Sequence, residues 1–370
     1  MKNTREKCVL CGDKLSPIFN LEMPVYMGIM EDNESPLFED MIFCECEGCG
    51  EVQMGNLIDL NILYKENHNN GIVGKTWLEH YNELVDFIGE DISGKSVLEI
   101  SDPSAKIAKL CEGFSSWLII EPNPENITVP NVEFVKAFFD ENLDVDKCDV
   151  IIHSHLLEHI YEPIDFMRLC NKTLNEDGIM VMSIPNLESI LNSEYSPNNA
   201  LHFEHTYYIN DDVIRYLAEV SGFMILDKYN YVNHSTFYKL AKVSERFIES
   251  DNIGLDGLNK KFNNSLMKHT NSINEINKEI GNYKDVYIFG SHVSTQFYIS
   301  KGIDENTLRG TLDNSPSKVG KRLYGTELMT YNPEIIKGLD SCLVICSHAG
   351  IYYEEISKQL KGLNKNVTII

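Results

Sequence analysis

Between residues 96 and 186 the chain alternates short apolar runs with segments of helical periodicity. The runs are Ser96–Ile100, Trp117–Pro122, Asp149–Ile160 and Leu174–Pro185; the first two carry an acid at or near their end. Apolar runs of this length bounded by turn residues predict buried strands, and their alternation with helices predicts a doubly wound α/β sheet. In such a sheet a ligand binds beyond the carboxyl ends of the strands, where the strand order reverses. Glu121 then stands at a strand tip, placed to accept hydrogen bonds from both ribose hydroxyls of a nucleoside cofactor.

The flanking pattern divides the chain further. From Lys75 the spacing of Trp77, Tyr81, Leu84 and Phe87 predicts a helix ending near Gly89, after a polar loop holding His68 and Asn69. Gly222–Leu226 and Ser235–Leu240 predict two more strands, with Tyr231, Asn233 and His234 in the turn between them. Residues 244–281 read as a linker helix with Leu266, His269, Ile273, Ile276 and Ile280 on one stripe. Asp285–His292, a strand ending at Asp313-Asn314, and Ser341–Cys346 predict a second, half-Rossmann unit, with His348 just past its third strand. The expected units are 1–66, 67–243, 244–281 and 282–370.

Composition narrows the function. A chain of 370 residues with 43% apolar content supports two or three cored domains. It shows no apolar run of membrane-spanning length and no secretory signal, so a cytoplasmic location is expected. A net charge of −24 argues against nucleic acid as a partner. The expected partner is a small molecule. Lys318, Lys321 and Arg322 form the compact basic cluster, readable as a diphosphate contact or as a solvated loop.

Ten cysteines, clustered rather than spread, suit a metal site in a reducing compartment. Cys8-Val-Leu-Cys11 and Cys46-Glu-Gly-Cys49 offer four thiolates for one tetrahedral Zn2+ at about 2.3 Å each. Four sulfurs leave no open position, so the expected role is structural. Cys44 is left as a spare.

After its first strand this kind of sheet normally turns on glycine, because the backbone must approach the cofactor closely. Here the turn is Ser101-Asp102-Pro103-Ser104-Ala105-Lys106, without glycine, and any position there needing φ > 0 is strained. His155-Leu-Leu-Glu158-His159 spells an inverted zincin pattern, but a protease needs it within a helix, and here it begins at a strand end.

These features resemble the class I S-adenosylmethionine-dependent methyltransferases. Taken with the four-cysteine N-terminus, the Cys49-Gly-Glu-Val-Gln53 knuckle and the second nucleotide-fold unit, the whole chain resembles the three-domain sugar C-methyltransferases, which act on nucleotide-linked deoxyketosugars. The resemblance implies an S-adenosylmethionine site drawn from Glu99, Ser101, Glu121, Pro122, Phe138, His153, Ser154 and His155, with Phe138 or Phe139 flanking the adenine. It implies a structural zinc on Cys8, Cys11, Cys46 and Cys49. It implies a loop over the active site, here near His68 and Asn69, in which no equivalent of the family's substrate-contacting tyrosine is identified. The C-terminal unit would help hold the sugar nucleotide. The family's Tyr-x-Glu-His cluster corresponds to His202-Phe-Glu204-His205, with histidine replacing the tyrosine.

C-methylation needs a carbanion: a proton leaves the carbon beside a carbonyl, and the enolate is stabilised until it attacks the methyl group. His205 suits the base, Glu204 its orientation or a sugar hydroxyl, and His202 donation to the oxyanion. An O- or N-methyltransferase on the same scaffold, and a non-catalytic ligand-binding relative, are the alternatives that these residues leave open.

Overall fold

The structure, a computed structural model, describes residues 3–31, 35–64, 75–192, 202–232, 234–244, 253–255, 257–346 and 352–370. His68, Asn69 and His348 lie outside the described residues.

The N-terminal unit is a three-stranded antiparallel sheet of β1 (Leu15–Pro24), β2 (Phe38–Cys46) and β3 (Val52–Met54), in the order β1-β2-β3. Helix α1 (Lys75–Ile88) leads into the central sheet. That sheet comprises β4 (Ser96–Ile100), β5 (Ser116–Ile120), β6 (Val132–Val135), β7 (Cys148–Ser154) and, after α2 (Pro163–Thr173), β8 (Leu174–Pro185). Then follow α3 (Asp211–Val220), β9 (Phe223–Tyr231) and β10 (Ser235–Lys242). The strand order is β6-β5-β4-β7-β8-β10-β9, with β10 antiparallel to both neighbours. The chain winds outward one way from β4 and the other way from β7, so the crevice opens beyond Ile100 and Ser154.

Local chemistry explains where the helices begin. Asn210 caps α3 by accepting the Val213 N–H at 3.0 Å, and Asp211 and Asp212 lie against the positive end of the helix. Pro163 opens α2, where its missing N–H costs nothing. The sheet is buried on both faces, which is why its strands read as continuous apolar runs. One face is sealed by Leu84 and Ile88 of α1 against Trp117, Ile119, Ile152 and Phe237.

The linker helix differs from expectation. It spans Leu258–Ile280 (α4) and begins only after Gly257, at φ 83°. It also does more than connect. Phe262 packs edge-on against Phe43 of the N-terminal unit at 4.9 Å, and Asn259 donates to Glu45 at 2.6 Å. The expected stripe of Leu266, His269, Ile273, Ile276 and Ile280 is buried. Beyond it β11 (Val286–Phe289), α5 (Val293–Ser300), β12 (Gly310–Leu312), β13 (Thr330–Tyr331), β14 (Cys342–Ile345), α6 (Tyr353–Leu363) and β15 (Val367–Ile369) build an all-parallel sheet, order β13-β12-β11-β14-β15. One apolar core runs continuously through the N-terminal unit, one face of the central sheet, α4 and this C-terminal sheet. No helix among the described residues is long and apolar enough to cross a membrane.

Candidate active site

The two Cys-x-x-Cys pairs meet. Cys8 and Cys49 Sγ atoms are 3.6 Å apart and Cys11 and Cys46 Sγ atoms 3.4 Å, near the sulfur spacing of a tetrahedron with metal–sulfur bonds of about 2.3 Å. Leu10 N–H and Gln53 Nε2 point at Cys8 Sγ, and Cys49 N–H at Cys46 Sγ, donors that suit thiolates carrying shared negative charge. The donor set fits zinc. Cys44 lies outside the group, buried on the same sheet.

This stapled unit braces the loop that follows β8. Arg5 Nη1 donates to Thr206 O and its Nη2 to Tyr161 O, both at 2.9 Å. Met54 N–H donates to Thr206 O, and Glu51 Oε1 accepts the Tyr208 N–H at 2.7 Å. The loop carrying His202, Glu204 and His205 is therefore held from a segment some 150–200 residues earlier in the chain.

At the crevice, Glu121 stands just past the tip of β5, 6% exposed, its Oε1 accepting the Asn123 N–H at 2.8 Å. Burial raises its carboxyl above the usual range against the pull of the Asn123 amide and the Ser101 hydroxyl. Two residues of the glycine-free turn adopt the left-handed conformation: Ser101 at φ 67° and Ala105 at φ 52°. Asp102 offsets the strain by accepting N–H groups from Ser104 at 3.0 Å and from Lys106 and Ile107. The turn thus keeps the shape that glycine normally provides, at a cost of roughly 1 kcal/mol or more per residue. Pro122 lies half-buried beside Glu121; Phe139 turns inward onto Phe166, while Phe138 stays 40% exposed and open to a flat ligand.

Two expected cofactor contacts are placed elsewhere. Glu99 is 1% exposed and spends Oε2 on the Trp117 indole N–H at 2.8 Å, because strand alternation turns it into the core under α1. His153 is fully buried against Phe166, with neither ring nitrogen hydrogen-bonded and its pKa pushed down to about 4 by burial. Ser154 instead contacts Ser183 at 2.8 Å, and His155, at φ 50°, swings out of the strand. The inverted zincin pattern ends in a single 3-10 turn, Leu157–His159. This is not the long helix a protease requires.

That turn faces the loop after β8. The His159 ring meets the His205 ring edge-on at 4.6 Å, and His205 lies 4.0 Å from His202, centroid to centroid. Glu204 is 5% exposed, 3.8 Å from His159 Nδ1, and burial lifts its carboxyl to about 7. His159 Nδ1 is 2.8 Å from the Tyr64 hydroxyl. Burial holds His159 below its ordinary value, and holds His202 well below, with neighbouring His159 and His292 adding to the effect on His202. His159 and His202 are therefore neutral near pH 7.

Tyr64, His159 and His292 are the residues that sequence reasoning missed as members of this group. Tyr64 closes the first unit, ahead of the loop where a tyrosine was sought, and Asn123 Nδ2 donates to its carbonyl at 3.0 Å. His159 was absorbed in the zincin pattern. His292 comes from the turn after β11, and nothing local marks it.

The basic cluster is spent within the protein. Lys318 is 5% exposed and donates to Asp313 at 3.1 Å and to Ser291 O at 3.2 Å. Lys321 pairs with Glu31 at 2.8 Å, and Arg322 binds Glu327 through both carboxylate oxygens. Arg322-Leu323 also pairs as a short ribbon with Ile29-Met30. The three cations are thus not gathered on an open anion site; charge pairing in a chain rich in acids claims them first.

Residues 75–228 match the family model described as "Methyltransferase domain". This segment is a methyltransferase domain. Together with the class I strand order, the match supports S-adenosylmethionine-dependent methyl transfer by this segment. Solved structures that it resembles include an S-adenosylmethionine-dependent methyltransferase from Listeria monocytogenes, 16% identical, covering 46% of this chain and 100% of the other at TM-score 0.38. Others are the Haloferax volcanii complex of the Trm112 activator with a methyltransferase (9% identity, 50% and 98% covered, TM-score 0.41), and the Burkholderia thailandensis 1,6-didemethyltoxoflavin N1-methyltransferase (12%, 52% and 96%, 0.38). No curated protein matches the chain in sequence.

Proposed function

We propose that this methyltransferase alkylates carbon beside a carbonyl, on a nucleotide-linked deoxyketosugar. The observation that carries the reading is the convergence on His159 of the Tyr64 hydroxyl at 2.8 Å, the Glu204 carboxylate at 3.8 Å and the His205 ring at 4.6 Å between centroids. A heteroatom acceptor needs one base. An enolate needs a base and donors that hold its oxygen, and this cluster offers both. When bound, S-adenosylmethionine supplies an electrophilic methyl group. Glu121 would hold its ribose, and Ser101, Pro122, Phe138, Ser154 and His155 would make up the rest of its site. His205 removes the α-proton, Glu204 and His159 orient the ring, and Tyr64 with His202 donates to the oxyanion. Cys8, Cys11, Cys46 and Cys49 hold a structural zinc. The 67–243 unit carries the chemistry, and the 282–370 unit closes over the sugar nucleotide beside His202.

The test uses a nucleotide-linked deoxyketosugar in heavy water without the methyl donor. Proton exchange at the α-carbon, abolished in His205→Ala, is expected. Methyl transfer to a sugar hydroxyl or amine with no α-exchange would replace this reading with O- or N-methylation.

A further inference from the structure

A second group of imidazoles lies on the other side of the β7 tip. We propose that His80, His155 and His234 form a metal site, distinct from the four-cysteine cluster, that takes a divalent cation of the zinc class.

The three side chains come from α1, from the turn after β7 and from the turn between β9 and β10. Their ring centroids stand 5.2, 5.5 and 5.6 Å apart, a nearly equilateral triangle, and one ring nitrogen from each lies within 4.8 Å of the other two. Three imidazoles on a tetrahedral ion with metal–nitrogen bonds of about 2.0–2.1 Å place their ring centres roughly 5 Å apart. The triangle therefore needs only a small contraction to close on an ion.

The surroundings are those of ligands held in place. His80 Nε2 is 3.0 Å from Ser154 Oγ, which leaves Nδ1 as its remaining nitrogen. That atom is buried and has no hydrogen-bond partner, in a residue with no exposed surface. A buried polar atom without a partner is unfavourable, and an ion would supply the missing partner. His155 Nδ1 is 3.2 Å from Glu158 Oε1, a carboxylate behind an imidazole of the kind that orients metal-bound histidine. His234 Nδ1 is 2.6 Å from Ser235 Oγ, and the same hydroxyl lies 2.8 Å from His155 Nε2, a contact that the ion would replace. The indole of Trp77 covers the group, 4.4 Å from His234, 4.8 Å from His155 and 5.3 Å from His80.

Neutral nitrogen donors without a thiolate select Zn2+, Co2+ or Ni2+ over Mg2+ or Ca2+. Three protein ligands leave a fourth position for an exchangeable group, unlike the closed four-sulfur site.

Metal content decides the matter on the full-length protein, stripped and reloaded with Co2+. Two ions per chain are expected: one giving the intense near-ultraviolet thiolate-to-cobalt band, the other giving visible absorption without it. His80→Ala and His234→Phe should each remove one ion and leave the thiolate band intact, which also reports that the chain is folded. Saturation of the wild type by ions that all belong to the thiolate band would overturn the proposal, as would either folded variant keeping the second ion. If both variants misfold, the wild-type count alone decides.

Discussion

Glu204 is a carboxyl group buried without an equal partner, and replacing it with glutamine isolates the consequence. Its Oε1 has no hydrogen-bond partner, and its Oε2 is 3.8 Å from a His159 ring that burial keeps neutral. Burial lifts its pKa from 4.5 to about 7, equivalent to about 3 kcal/mol between the two protonation states. Because the folded value lies above the unfolded one, the associated stability is fully present below about pH 4.5. It is lost as pH rises through about 7, where the protein must bury a charge. Glu204→Gln removes the titration and keeps the shape. The unfolding free energy of the variant relative to wild type should therefore shift in the variant's favour by about 3 kcal/mol between pH 4.5 and pH 8. Urea unfolding followed by fluorescence at several pH values, with zinc fixed, measures that difference, and effects common to both proteins cancel. A difference independent of pH, or one that moves against the variant, would refute the reasoning. It would mean that Glu204 folds as a carboxylate paired with a protonated His159.

Glu121→Ala should weaken S-adenosylmethionine binding roughly 10- to 100-fold, the equivalent of about 1.5–3 kcal/mol for hydrogen bonds to a charged group, read by calorimetry; unchanged affinity would place the ribose elsewhere. Cys46→Ser should abolish zinc binding at the four-cysteine cluster and lower kcat, because the stapled unit braces the Thr206–Tyr208 backbone; full activity after zinc loss would separate the two. Ala105→Gly should leave stability unchanged or raise it by up to about 1 kcal/mol, since relief of a left-handed alanine outweighs the extra entropy of glycine; thermal unfolding checks this, and a loss of about 1 kcal/mol would mean the turn is not strained.

The strands from Ser96 to Pro185 were legible because a sheet covered on both faces writes itself as uninterrupted apolar runs. Helix α1 announced itself through the spacing of Trp77, Tyr81, Leu84 and Phe87, although its fully buried apolar positions are Leu84 and Ile88. The cysteine pairs were equally plain, since two thiols three residues apart are a local arrangement that needs only one folded partner to complete a tetrahedron. The turn at Ser101–Lys106 was legible as an anomaly. Its resolution, with Asp102 tying three backbone amides, depended on the folded shape of the turn.

What the order of residues could not state is which polar groups meet. Tyr64 and His159 are 95 positions apart, Arg5 and Thr206 are 201 apart, and His80 reaches Ser154 across 74. The layers, the strand tips and the metal knuckle were written in the chain, because burial periodicity and short-range spacing are properties of neighbouring residues. Tertiary packing alone decided that Glu99 serves Trp117, that Lys318 serves Asp313, and that six histidines gather in two groups beside one strand end. Side-chain pairing over such distances follows from how the sheet winds, and no local pattern in the chain encodes it.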